Sequence, residues 1–174
     1  RMARDRSLHI ASLQTTDTWA PIHAVYVMEN LDISSVVPEL VPLLDLDDEW
    51  YDPELYDMLA RAGQPALQPL QTYLQDKSRW VYGRWKTVEI LTKIGQQLPE
   101  LRDEIVATLS KVLENATEQS PELNGGIINA LIKLSASESL PVIRRAFELN
   151  IVDELIVGNW RDVLHHFGQE PDDN

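Results

Sequence analysis

Apolar residues recur at helical spacing through most of the chain, and strand-like alternation is almost absent. Ala24, Val27, Met28 and Leu31 stand at positions i, i+3, i+4 and i+7, which places them on one face of a helix. Several later segments repeat this spacing, and each apolar stripe needs a second element to cover it. Together with the proline and glycine positions, the pattern predicts helices over 20–31, 36–46, 53–62, 65–75, 79–94, 99–116, 121–135, 140–149 and about 160–167.

The helical segments also repeat along the chain. Four first-helix motifs align with one another, and their last apolar residues are separated by 31, 32 and 40 positions: Leu31, Ala62, Ile94 and Leu134. A period of this length with two helices per unit is typical of α-solenoids, whose repeats stack to bury their apolar faces. We therefore predict an all-α fold, an α-α superhelix of about four antiparallel helix pairs. A stripe at Trp160, Val163, Leu164 and Phe167 predicts a capping helix at the C-terminal end.

Residues 88–113 (VEILTKIGQQLPELRDEIVATLSKVL) contain a helix ending in Ile-Gly, then a proline, then a leucine-rich second helix. Within residues 54–74 the stretch LARAGQPALQPLQTYL repeats the arrangement. Over about residues 20–150 the sequence resembles the HEAT and armadillo-type repeat families, and most closely the bacterial phycobilisome-lyase-like HEAT repeats. This resemblance implies a HEAT-like solenoid from a bacterium.

Composition excludes several classes of protein. The chain has 28 acidic and 15 basic residues, for a net charge of −13, and no cysteine. The absence of cysteine excludes a disulfide scaffold, a thiolate zinc site and a cysteine nucleophile. The negative charge opposes broad nucleic-acid binding, which requires clustered cations. The longest apolar runs are far shorter than the ~20 residues of a membrane-spanning helix.

The domain organisation follows from the same pattern. We predict a disordered or vector-derived N-terminus over residues 1–17, a single helical-repeat domain over 18–167, and an acidic tail over 168–174. No secretory signal is recognisable near residue 1. The expected protein is cytoplasmic, a monomer or weak dimer, without a membrane or nucleic-acid partner.

Residues that could support catalysis or metal binding are few. His165 and His166 are adjacent, so on a helix they point about 100° apart and cannot chelate one ion. The sequence has no glycine-rich phosphate loop and no spacing that indicates a catalytic triad. Gly125 and Gly126 predict a kink or a close approach between helices. We predict no catalytic residue, no metal site and no cofactor.

Two segments of opposite charge contain the candidate binding residues. Residues 45–57 hold seven acids and no base, together with Trp50 and Tyr51. Aromatic residues on a charged loop are typical interface anchors, although core packing is an equal alternative for Trp50. We predict that both aromatic residues contact a partner.

The second segment is basic. Residues 77–86 hold four bases, three aromatic residues and no acid. On a helix, Lys86 would share a solvent-facing stripe with Tyr82, whereas Arg84 would fall within the apolar arc. Arg84 then needs a carboxylate, an aromatic face or a partner. Two interpretations remain open: an ion pair with Glu54 or Asp57, and a recognition pair with Trp80 in the groove. The candidate partner-binding residues are therefore Trp50, Tyr51, Trp80, Arg84 and Lys86.

These observations favour a non-catalytic scaffold or adaptor that binds a protein or peptide, basic or mixed in charge, through its groove. The family resemblance implies an alternative, a bilin-lyase-like chromophore chaperone or lyase subunit. Its groove would hold an anionic tetrapyrrole through Arg84, Trp80 and Lys86. A HEAT-like DNA glycosylase would share only the architecture, and the net charge opposes it.

Overall fold

The computed structural model describes His23, Val27, residues 31–46 and residues 52–169. Over this part of the chain the secondary structure is helical and contains no strand. The α-helices are α1 (Val37–Leu40), α2 (Asp52–Ala62), α3 (Gln64–Gln75), α4 (Val81–Gln97), α5 (Arg102–Glu114), α6 (Pro121–Lys133), α7 (Leu140–Glu148), α8 (Glu154–Val157) and α9 (Trp160–His166). Short 3-10 helices lie at Val41–Asp45, Pro99–Leu101, Ala116–Glu118 and Ser137–Ser139. The predicted all-α class is confirmed for these residues.

The helices pack as pairs in two rows. Helices α2, α4, α6 and α8 contact one another in turn, and α1, α3, α5 and α7 do the same. Consecutive helices from α2 to α6 also contact each other across the two rows. The buried leucine, isoleucine and valine side chains form one continuous core between the rows. From α2 to α6, each helix therefore buries its apolar stripe against a consecutive helix and against another helix of its own row.

Most predicted helices are present with small changes at their ends. The helix predicted over 36–46 is instead α1 followed by a 3-10 helix, because Pro42 has no N–H to continue the α-helical ladder. The prediction for 20–31 falls mostly outside the described residues, although His23 and Val27 are helical.

Gly63 and Gly95 both stand near the ends of helices, but only Gly63 follows a helix directly. Gly63 separates α2 from α3 with φ of +60°, a conformation that favours glycine. Gly95 does not end its helix, because α4 continues to Gln97. An added Cβ at Gly95 would lie 2.8 Å from Leu134 Cδ2, so the Leu134 side chain would have to shift to accommodate a larger residue.

The C-terminal part is held by a helix cap and an aromatic contact. The Asn159 side chain accepts hydrogen bonds from the first turn of α9, and the Asp162 carboxylate accepts one from the Asn159 backbone N–H, completing a capping box. The Trp160 ring lies 5.8 Å from the Phe147 ring of α7. Val163 and Leu164 are buried beside them. The predicted helix at this end is confirmed, whereas the short helix α8 was not anticipated.

Gly126 allows α4 and α6 to approach closely. An added Cβ would lie 2.9 Å from the Trp85 ring, so the predicted close helix approach is confirmed. In the stretches that the structure describes, no helix is long and apolar enough to cross a membrane.

Candidate functional site

The turn between α3 and α4 is held by one carboxylate. Asp76 Oδ1 accepts hydrogen bonds from the Ser78 backbone N at 3.0 Å and from the Ser78 hydroxyl at 2.6 Å, and Asp76 Oδ2 accepts from Arg79 Nε at 3.1 Å. The Ser78 hydroxyl, followed by the Ser78 backbone N–H, lowers the pKa of Asp76 below its ordinary value. Because residues 76–79 are used in this turn, α4 begins at Val81 and not at residue 79.

An aromatic pair stands at the start of α4. The Trp80 and Tyr82 ring centroids are 5.2 Å apart and their planes are inclined by 58°. Trp80 is partly buried, whereas Tyr82 is 62% exposed. Lys86 Nζ lies 5.2 Å from the Trp80 ring centroid, within cation–π range. We name Trp80, Tyr82 and Lys86 the aromatic corner.

Lys86 does not lie on the exposed stripe on which the sequence pattern placed it. Its residue is only 7% exposed, and Nζ donates a hydrogen bond to the Leu46 carbonyl oxygen at 2.7 Å. This contact ties α4 to the end of the 3-10 helix Val41–Asp45. Lys86 therefore packs against the Trp80 ring and holds the Leu46 backbone through its hydrogen bond.

Arg84 is also buried, at 5% exposure, and its predicted ion pair is wrong. Arg84 Nε donates to the Leu74 carbonyl oxygen at 2.8 Å, and Nη2 donates to Gln119 Oε1 at 2.7 Å. Both acceptors are neutral, and the Asp57 carboxylate proposed as a partner binds Lys93 instead. Burial lowers the pKa of the Arg84 guanidinium. Arg84 therefore joins α3 to the segment that follows α5 and does not form a surface pair with Trp80.

The acidic and basic segments contact each other internally. Arg79 Nη1 lies 3.0 Å from Asp45 Oδ2, and the Tyr73 hydroxyl donates to Asp45 Oδ1 at 2.5 Å. The Arg79 guanidinium also lies 5.1 Å from the Tyr73 ring centroid. Burial and then the hydrogen bond to Asp45 raise the pKa of Tyr73 far above its ordinary value. One base of residues 77–86 and one acid of residues 45–57 therefore neutralise each other within the fold.

The three predicted binding residues that the structure describes do not form one surface. Trp80 lies at the aromatic corner, Arg84 and Lys86 lie beneath the surface, and Trp50 and Tyr51 lie outside the described residues. Tyr82 was not among the predicted site residues, although its position on the predicted solvent-facing stripe indicated that its side chain would be exposed. Arg79 was also missed, and the absence of acids from residues 77–86 was its only sequence signal.

A shallow groove runs between α4 and α6. It has a volume of about 250 Å³, and its lining includes Trp85, Val88, Gly126 and Ala130, with Lys93 and Lys133 among the polar residues. In the part of the chain that is described, no group of three or more histidine or acidic side chains could hold a metal ion. His165 and His166 are both exposed.

No family model matches the sequence, and no curated protein or solved structure matches it either.

Proposed function

We propose that the chain is a HEAT-like α-solenoid that acts as a non-catalytic interaction module, and that its aromatic corner binds a basic segment of a partner protein. The observation that carries the proposal is the exposure of Tyr82 beside Trp80 at a structurally fixed position. Tyrosine and tryptophan side chains of this kind are common binding hot spots, because they bury a large area with little loss of side-chain entropy.

The two rows of helices support the solenoid part of the proposal. In a solenoid each unit contacts its neighbours, so first helices contact first helices and second helices contact second helices. The contacts among α2, α4, α6 and α8, and among α1, α3, α5 and α7, follow this rule. The repeat spacing of the sequence agrees with these rows.

The rigidity of the corner supports its role in recognition. The Asp76 turn fixes the backbone before Trp80, and Lys86 contacts the Trp80 ring while it binds Leu46. Since both contacts exist without a partner, little conformational freedom is lost when one binds.

The negative charge of the chain indicates that the partner segment is basic. The chain carries a net charge of −13, and the acidic segment 45–57 begins at Asp45 and Leu46, next to the corner. A basic segment is attracted by this field. Its arginine or lysine side chains can stack on the exposed face of Tyr82. We do not put forward the bilin-binding alternative, because Lys86 is buried against the Leu46 carbonyl oxygen and Arg84 lines only a cavity of about 160 Å³, which is too small for a tetrapyrrole.

Selection from a phage-displayed random peptide library tests this function. We expect the enriched peptides to combine lysine or arginine with an aromatic or aliphatic residue. Tyr82→Ser is expected to weaken their binding about tenfold, or about 1.4 kcal/mol. Leu155→Ser is a matched control, since Leu155 is 96% exposed on α8 and its loss removes a similar exposed apolar group.

The proposal fails if no peptide is enriched over a charge-matched acidic control protein. It also fails if enriched peptides bind the Tyr82→Ser and Leu155→Ser variants equally well. Circular dichroism spectra of both variants should match the wild type, because both side chains project into solvent.

A further inference from the structure

A small basic cavity is lined by residues of α3, α4 and α5 and of the segments that follow α3 and α5. Its volume is about 160 Å³, enough for about five water molecules at ~30 Å³ each. Its lining contains three cations and no carboxylate, in a chain whose net charge is −13. The lining residues are Gln75, Lys77, Arg84, Lys111, Val112, Asn115 and Gln119.

Arg84 has more hydrogen-bond donors than the fold uses. A guanidinium group carries five N–H donors, and Arg84 uses Nε on Leu74 and one Nη2 hydrogen on Gln119. Among the described residues, Nη1 has no hydrogen-bond partner. The side-chain atoms that are both fully buried and without a partner do not include Nη1, so this atom keeps some exposure to solvent. Nη1 is therefore accessible from the cavity, with its donors available.

The positive charge of Arg84 is not balanced by a direct partner. Both of its acceptors are neutral oxygens, although the residue is only 5% exposed. A buried charge is costly unless it is paired with an opposite charge. Asp76 acts on Arg84 only through space, because its oxygens hold the α3–α4 turn, and Glu118 pairs with Lys77.

Two further cations, Lys77 and Lys111, line the same cavity. Lys111 lies in the last turn of α5 and has no partner in the described part of the chain. Lys77 also lines the cavity and is ion-paired with Glu118. The amide of Gln75 adds further donors to the same lining. Arg84 and Lys111, the two cations of this lining that have no carboxylate partner among the described residues, favour an oxyanion as the ligand.

We propose that this cavity, which we name the Arg84 cavity, is a binding site for a phosphate-sized oxyanion. The anion accepts hydrogen bonds from Arg84 Nη1 and from Lys111, and it supplies the negative charge that Arg84 lacks. Binding there also links α3, α4 and α5, because the lining residues come from these helices and the segment after α5.

Titration with inorganic phosphate, followed by the NMR signal of the Arg84 Nε–H group, tests the site. This proton is held by Leu74 O, so we expect it to be observable and to shift in a saturable manner. A parallel titration with O-phosphoserine separates a free anion from a phosphorylated side chain, and binding of either ligand supports the site.

Three variants identify the residues. Lys111→Ala should weaken phosphate binding about threefold to fivefold, as expected for an exposed charge pair. Lys133→Ala is the matched control, an exposed lysine at the end of α6 outside the cavity. Glu118→Gln releases Lys77 from its ion pair, so phosphate should bind more tightly, a gain that misfolding cannot imitate.

The proposal is overturned if the Arg84 Nε–H signal does not move with either ligand. It is equally overturned if Lys111→Ala and Lys133→Ala change the affinity to the same extent, or if Glu118→Gln leaves it unchanged.

Discussion

Replacement of Gly83 by alanine tests the packing that places α4 against the acidic segment. An added Cβ at Gly83 would lie 2.2 Å from the Tyr73 hydroxyl oxygen and 2.8 Å from the Leu44 carbonyl oxygen. Tyr73 is only 3% exposed, and its hydroxyl is held by Asp45. The side chain therefore cannot move aside without losing this hydrogen bond.

The expected loss in the free energy of unfolding combines two destabilising contributions and one stabilising contribution. Loss of a hydrogen bond to a charged acceptor costs about 1.5–3 kcal/mol. Crowding against the Leu44 backbone adds about 1–3 kcal/mol, while the better helix propensity of alanine returns at most about 1 kcal/mol. Gly83→Ala should lower the free energy of unfolding by about 3 kcal/mol.

A double-mutant cycle separates these terms. Tyr73→Phe alone should cost about 1.5 kcal/mol, because it removes only the hydrogen bond to Asp45 while Arg79 still pairs with that carboxylate. In the double variant the hydrogen bond is lost only once. Its destabilisation should therefore be about 1.5 kcal/mol smaller than the sum of the single effects.

Urea unfolding followed by far-UV circular dichroism measures all four corners of the cycle. Gly126→Ala serves as the control, because its added Cβ meets Trp85 and not Tyr73. Its effect should add to that of Tyr73→Phe within about 0.5 kcal/mol. The reasoning is refuted if Gly83→Ala is as stable as the wild type, or if its effect is additive with Tyr73→Phe.

Two further predictions concern buried polar contacts and acid stability. Asn124 is fully buried, and its Nδ2 donates to the carbonyl oxygens of Ala116 and Ile151. Asn124→Ala should therefore lower the free energy of unfolding, measured by urea titration, by about 2–4 kcal/mol. A loss below about 1 kcal/mol would contradict this. Arg102 lowers the pKa of Glu138 below its ordinary value of 4.5, so the ion pair stabilises the fold above that pH and ceases to do so as the pH falls through the lowered pKa. Glu138→Gln should accordingly be less stable than the wild type at neutral pH, with a difference that disappears in acid; a constant difference across the pH range would argue against the ion pair.

The described helices could largely be predicted from the sequence, because helix formation is governed by local spacing and by residues at helix ends. The stripe at 121–135 and the Ser120–Pro121 step predict α6, where the Ser120 hydroxyl does accept a hydrogen bond from the Leu123 backbone N. The capping box at Asn159 is equally local. The structure differs from the prediction where a proline or an Asp side chain redirects the chain, as at Pro42 and Asp76.

The candidate site could be predicted only in part. The sequence indicated that residues 77–86 are unusual, and Trp80 does lie at the aromatic corner. The roles of Arg84 and Lys86 were not predictable, because each depends on a partner distant in sequence. Arg84 meets Gln119 at a separation of 35 residues, and Lys86 meets Leu46 at a separation of 40.

By itself, then, the sequence determined the helical class and the repeat spacing, since both arise from residues three to four positions apart. Only the tertiary structure decided which charges are used within the fold and which surface remains open. The exposure of Tyr82 and the burial of Arg84, two residues apart on one helix, depend on which neighbours cover each face of α4. Side-chain burial is a property of packed helices, so the sequence of one helix cannot determine it.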